Sequence, residues 1–221
     1  MIDVIILTDN TDPDTTQKTI DSIKSGVDAQ IILVSKREQY RIYRGVNTYV
    51  VIKERFNYNR FINQALEYVH NEWVLISNDD VEYDSDWFVE MQRIMDEKPT
   101  INSLSPMDPR LHERYYNDTF RFPKDYVEGY DVTRHLSGWS ILIKKSALDA
   151  IAPLDEQFDM YYQDNDFSEC LKKKKIKHAL VKTSVAFHKG TELVGQPYSD
   201  NMIKKLEEDE FKFRNKWNIW I

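Results

Sequence analysis

Short apolar runs rich in β-branched residues alternate along the first hundred positions with longer stretches of helical periodicity. "VIILT" (4–8), "QIILVS" (30–35), "TYVVI" (48–52) and "WVLIS" (73–77) have the pattern of buried strands. After the first, "DPDTTQKTIDSIKS" puts Ile20 and Ile23 on one face, with Asp12 or Asp14 as cap and Pro13 near the first turn. "NRFINQALEYV" spaces Phe61, Ile62, Ala65, Leu66 and Val69 as a helix would. "SDWFVEMQRIM" predicts a helix capped by Ser85 that buries Phe88, Met91 and Met95. The order strand, helix, strand, strand, helix, strand, helix predicts an α/β fold, Rossmann-like, with a mostly parallel central sheet and helices on both faces. Such sheets bind ligands beyond the carboxyl ends of their strands. Thr8, Ser35 and residues 78–80 lie at those ends.

The pattern weakens after Leu104. Residues 105–135 hold three prolines, many aromatic residues and no clear period, which predicts a long, mobile loop of functional kind. "GWSILIKKSALDAI" then reads as a strand entering a helix, and "PLDEQFDMYYQDNDFSECLKKKK" as a polar turn entering another. "SVAFH" is a short strand before a closing helix, "NMIKKLEEDEFKFRNKW". No repeat or low-complexity linker interrupts the chain, so a single domain over residues 1–221 is expected.

Composition narrows the function. Of 221 residues, 41% are hydrophobic and 13% aromatic, enough for a large core. A net charge of −7 argues against wrapping nucleic acid with the whole surface, although a local basic patch stays possible. The one cysteine, Cys170, rules out an internal disulfide and suits a reducing compartment. The opening "MIDVIILTDN" lacks the basic start and long apolar region of a secretion signal, and no window approaches a membrane span. A cytoplasmic location is expected.

The candidate chemistry begins in "VLISNDDVEYDSDW" (74–87), where a core strand runs into Asn78, Asp79 and Asp80. Adjacent carboxylates raise each other's pKa unless a cation lies between them. A hard divalent ion, Mg²⁺ or Mn²⁺, with phosphate oxygens in its open positions would suit them. The plainer reading is a turn whose acids cap the next helix. In "YYQDNDF" (161–167), Asp164 and Asp166 open a helix, where acids are expected, which is the stronger local reading; the functional alternative makes Asp164 a general base at the mouth of the site. In "AFHKG" (186–190), His188 ends an apolar strand. It is either a structural histidine or a nitrogen ligand that would favour Mn²⁺ over Mg²⁺. "KKKK" (172–175) reads as a solvated face, with a phosphate contact as the alternative. Tyr115, Tyr116, Phe120 and Phe122 could stack on sugar or base rings or pack on the core.

In their order along nearly the whole chain, these segments resemble a glycosyltransferase of the GT-A fold, family two of the sugar-transferase classification. "VIILT" with its following helix is similar to that family's first strand and nucleotide turn. "ISNDDVEYDSDWFVEM" resembles its metal-binding segment, "LSGWSILIKKSALDAIAPLDEQFDMYYQDNDF" its acceptor-side segment, and "FRNKW" the Lys-Trp ending of several members. The resemblance implies that Asp80 and His188 bind the metal and that Asp79 lies beside the diphosphate. It implies Thr8, Asn10 and Ser35 on the donor side, Gly138, Trp139 and Asp166 on the acceptor side, and Asp164 as catalytic base. Two departures stand out. Ser35 and Lys36 replace the acid that usually ends the second strand, and Gln163-Asp164 replaces a Glu-Asp pair.

The expected activity is metal-dependent, inverting transfer from a nucleoside-diphosphate sugar, UDP-sugar favoured, to a hydroxyl. The acceptor would be a glycan, or less readily a modified nucleic acid or a protein. Residues 1–104 would bind the donor and 105–221 the acceptor. A nucleotidyltransferase is the rival enzyme, but "LTDNTDPDTTQ" has none of the glycines of a phosphate loop. A non-catalytic nucleotide-sugar or carbohydrate-binding domain is the rival from another class.

Overall fold

In the computed structural model, the four apolar runs of the first part become neighbouring parallel strands. They are β1 (Ile2–Thr8), β2 (Ala29–Ser35), β3 (Val46–Val51) and β4 (Trp73–Asn78), ordered β3-β2-β1-β4. The structure describes residues 1–9, 11–36, 42–116, 124–158, 161–193 and 199–219. Helix α1 (Pro13–Gly26) follows β1, capped by the Asp12 carboxylate, which accepts the Thr15 N–H at 3.2 Å. Helix α2 (Tyr58–Ala65) is capped by Asn57.

The sheet continues through β5 (Val81–Tyr83), β6 (Ile101–Met107), β7 (Tyr126–Glu128), β8 (Ser140–Lys144) and β9 (Lys177–His188). Here the parallel pattern changes. β8 runs antiparallel between β4 and β6, and β9 pairs parallel with β6 but antiparallel with β5 and β7. Two apolar layers cover the sheet. One contains Trp87, Met91 and Leu104, and the other contains Phe61, Ile76 and Phe167. The remaining helices are α3 (Trp87–Glu97), α4 (Pro109–Tyr116), α5 (Lys145–Ile151), α6 (Gln163–Lys173) and α7 (Asp200–Trp217). Among the described residues, no helix is long and apolar enough to cross a membrane.

Three expectations are corrected. Ser85 does not cap α3: its hydroxyl bonds the Asp84 and Asp86 carboxylates, the helix starts at Trp87, and the buried face is Trp87, Met91 and Ile94. Phe88 and Met95 are only partly buried. Order does not fail at 105–116, because β6 runs to Met107 and α4 begins at Pro109, where a proline costs no helical hydrogen bond. Tyr116 is core, its hydroxyl donating to the Arg134 carbonyl at 2.9 Å, while Phe120 and Phe122 lie outside the described residues. The closing strand is twelve residues long, not five. The lysine run is exposed, with Lys172 paired to Glu169 at 2.6 Å.

Candidate active site

The turn between β4 and β5 presents the two aspartates. Thr19 Oγ1 donates to the Asp79 carbonyl at 2.8 Å and accepts the Val81 N–H at 3.2 Å, which pins the turn to α1. The Asp79 carboxylate accepts from Thr16 Oγ1 at 3.1 Å and also from Thr8. Burial pushes its pKa up to about 6, against the pull of those hydroxyls. Thr8 is therefore behind Asp79, 1% exposed, and not on the cleft wall where a nucleotide would touch it. Ser35 is likewise fully buried at the end of β2, and the next residue, Lys36, reaches the cleft instead. Asn10 lies outside the described residues.

Asp80 faces the end of β9. Its Oδ1 is 3.1 Å from His188 Nε2, its Oδ2 accepts the Gly190 N–H at 3.2 Å, and its carbonyl accepts the Lys189 N–H at 2.9 Å. Burial raises the Asp80 pKa, but the His188 ring and the Gly190 amide outweigh it and hold the carboxyl below the ordinary range. Trp139 stacks on the His188 ring, centroids 5.2 Å apart and planes 6° from parallel. Gly190 is required here, since a Cβ at that position would lie 2.6 Å from His188 Cε1.

The loop after β9 is held by residues that sequence reading passed over. Asp108 is fully buried and takes Arg110 through both oxygens, at 3.1 and 2.8 Å. It also accepts the His188 N–H and the Thr191 hydroxyl, each at 3.1 Å, while Arg110 donates to the His188 carbonyl at 2.9 Å. Nothing in "MDPR" announces this role, because an Asp before a proline reads as an ordinary turn.

The Asp80–His188 pair fits a divalent ion. Two ligands about 2.1 Å from an ion and at right angles are about 3.0 Å apart, close to the observed spacing. A carboxylate oxygen beside an imidazole nitrogen suits Mn²⁺ better than Mg²⁺. Among the described residues, no three such side chains gather into a closed ligand set. The other coordination positions would belong to a ligand, as they do for ions that bind together with phosphate oxygens.

Asp164 enters from the other side. It is in the first turn of α6, just after Tyr162, whose φ of 64° is unusual for a side-chain-bearing residue. Burial raises its pKa. Gly138 makes room for it: a Cβ there would be 2.8 Å from Asp164 Cβ. Tyr58 donates its hydroxyl to the Gly138 carbonyl, fixing that wall.

Two cavities meet at these residues. The larger, about 730 Å³, is lined by Asp9, Asp12, Lys36, Phe56, Tyr58, Asp79, Asp80, Gln163 and Lys189 among others. The smaller, about 170 Å³, is lined by Leu111, Leu136, Gly138, Trp139, Asp164, His188 and Gly190 among others. Neighbours in sequence, Gln163 and Asp164, face one cavity each, as do Lys189 and His188. The start of α6 and the end of β9 thus contribute to both cavities.

Asp166 is in neither. It is 3% exposed, with Lys216 Nζ at 2.8 Å and Trp217 Nε1 at 2.8 Å, so an acceptor-side placement is not what the fold gives it. Another unforeseen set is on α2. Asn57 Nδ2 donates to the Glu156 and Phe158 carbonyls at 3.0 and 2.9 Å, Asn59 to that of Asp155 at 2.6 Å, and Asn63 to that of Leu154 at 2.8 Å.

No protein-family model matches the chain, and neither does any curated protein. Solved structures do. One is a crystal structure of GalNAc-T7 with UDP, GalNAc and Mn²⁺, with a TM-score of 0.66 and 12% identity over 84% of this chain and 43% of that one. Another is the mannosyltransferase PcManGT from Pyrobaculum calidifontis in complex with GDP-Man and Mn²⁺, with a TM-score of 0.63 and 14% identity over 84% of this chain and 56% of that one. This chain thus spans about half the length of each. At such identity the likeness is one of fold, and the fold is the GT-A fold of glycosyltransferases.

Proposed function

We propose that this chain is a metal-dependent glycosyltransferase that uses a nucleoside-diphosphate sugar and inverts the sugar it transfers. The observation that carries this reading is the pair of adjoining cavities, with Asp80 in the larger and Asp164 in the smaller. The two similar structures contain UDP with Mn²⁺ and GDP-Man with Mn²⁺, which supports a sugar nucleotide in the larger cavity. In this reading residues 1–104 supply most of the donor cleft and 105–221 the acceptor side. The assignment to family two rests on the residues alone.

Lys36 and Phe56 flank the nucleoside end of the donor, and Lys189 approaches the diphosphate, releasing its present partner Asp12 at 3.1 Å. Asp80 and His188 would hold a divalent cation, which would neutralise charge on a departing diphosphate. The acceptor hydroxyl enters from the smaller cavity. Its oxygen forms a bond to the anomeric carbon as the bond from that carbon to the diphosphate breaks. The hydroxyl proton passes to the Asp164 carboxylate. A carboxyl whose pKa is raised by burial holds that proton better than an exposed one, which is the property a general base needs. Attack from the face opposite the diphosphate inverts the centre. Leu111, Leu136 and Trp139 give the smaller cavity an apolar wall around the Asp164 carboxylate.

The test is a panel of UDP- and GDP-sugars with Mn²⁺, read as release of nucleoside diphosphate. Release that falls away with a chelator and in Asp164→Asn supports the proposal. Pyrophosphate release from a nucleoside triphosphate and a sugar phosphate would mark a nucleotidyltransferase instead. Tight binding with no turnover of any donor would mark a binding domain.

A further inference from the structure

Asp166 leads to the other end of the chain. Lys216 Nζ bridges Asp155 at 2.8 Å and Asp166 at 2.8 Å, and the Trp217 indole N–H donates to Asp166 at 2.8 Å. Two turns earlier, Asp209, 1% exposed, accepts the Tyr161 N–H at 3.1 Å. Asp209 is itself held by Lys212 at 2.6 Å, and Lys212 also donates to the Gln157 carbonyl at 2.9 Å. Phe213 packs on the Tyr162 ring at 5.2 Å. Residues 209, 213, 216 and 217 recur at the spacing of a single helix face. That face touches residues on both sides of Asp164.

Tyr162 explains why such support is needed. A tyrosine at φ 64° persists only where its surroundings over-determine it. The bond to the Tyr161 amide and the Phe213 ring supply that determination one step before the helix bearing Asp164. On the far side of Asp164, the salt bridge and the indole bond fix Asp166.

We propose that α7 is a positioning strut for the general base: its inner face fixes Tyr161 and Tyr162 before Asp164 and Asp166 after it, and thereby sets the direction of the Asp164 carboxylate. This inference rests on the reading of Asp164 as the base. Trp217, Phe213 and Asp209 line neither cavity, so an effect on turnover passes through the 161–166 segment that they hold.

The test is a double-mutant cycle. Trp217→Phe keeps an aromatic ring and removes the indole N–H together with the fused second ring. With UDP-N-acetylgalactosamine or GDP-mannose, Mn²⁺ and water as acceptor, it should lower kcat about tenfold, since small misplacements of a catalytic group are costly. The KM for the donor should not change. In an Asp164→Asn background, Trp217→Phe should have no further effect, because the group it positions is already disabled. Phe213→Leu provides a second probe should Trp217→Phe fold poorly, and circular dichroism checks both. An unchanged kcat in both probes, or the same fold-loss with and without the Asp164 carboxylate, would overturn the strut. Wild-type turnover in Asp164→Asn alone would overturn the base assignment itself, a separate and recognisable result.

Discussion

The two cavities are built on opposite principles. The larger is ringed by charged side chains, with Asp9, Asp12, Lys36, Asp79, Asp80 and Lys189 around it. Most of its lining comes from strand ends and turns before position 81. The smaller is a quarter of the size and mostly apolar, with Leu111, Leu136 and Trp139 around one carboxylate, and every lining residue follows position 110. The contrast suits a reaction that stabilises a polyanionic leaving group on one side and withdraws one proton on the other. In the proposed reaction, charge would be displayed where phosphate binds, and burial used where a proton affinity is to be raised.

The largest expected effect is on the charged side. Asp80→Ala should lower Mn²⁺-dependent turnover roughly a thousandfold or more, in line with the several kcal/mol a metal contributes to such a transition state. Calorimetric titration of nucleoside diphosphate should show that Mn²⁺ no longer strengthens binding. If the ion still promotes binding, the comparison is wrong about where charge is handled. Next comes the buried side. Asp164→Asn keeps the shape but takes no proton, so kcat should fall roughly a hundredfold or more while donor affinity holds. A weakened donor affinity would mean that the cavities do not divide the work.

The two close glycines sharpen the comparison at smaller amplitude. Gly138→Ala should push Asp164 away, lower kcat about tenfold and leave the Mn²⁺ affinity alone. Gly190→Ala should push the His188 ring and weaken Mn²⁺ binding about tenfold, the scale for disturbed ligand support. Metal titration of both variants, with donor kinetics, would show whether the effects separate.

A separate effect is on stability rather than on turnover. His178 is buried on β9, with Ser103 Oγ at 2.8 Å and the His135 carbonyl at 3.0 Å. Burial pushes its pKa down to about 4. Above pH 6.5 it is neutral in both folded and unfolded chains and costs nothing. As pH falls from 6.5 to 4, only the unfolded chain takes up the proton, so stability drops by about 3 kcal/mol. His135, paired with Asp131 at 3.5 Å, is shifted downward as well and adds to the same slope. Urea titrations across that range should show the slope, and His178→Gln should flatten it.

What the sequence revealed follows the same division. The four parallel strands were legible because apolar runs and helical periods are local signals. The acidic turn was legible because two aspartates directly after a core strand are conspicuous. Which way a strand-end side chain points was not: Thr8 and Ser35 are at the correct ends but face inward, and Lys36 faces the cleft. Asp164 and Asp166 look alike in sequence as acids in a first helical turn. Only Lys216 and Trp217, some fifty positions on, set Asp166 apart. The prolines of 105–116 suggested irregularity, yet Pro109 begins a helix. Asp108 was invisible, because its partners Thr191 and His188 come together only through β9.

The asparagine ladder on α2 has a consequence in time. It joins the 154–158 segment to residues 91 to 101 positions earlier in the chain. Contacts between such distant stretches form late, after local structure has shortened the search. The segment leading to Asp164 is therefore expected to dock after α2 and α7 have formed. A refolding chain should capture a fluorescent nucleoside diphosphate first and recover turnover last, with an interval in which it holds its donor and leaves it intact.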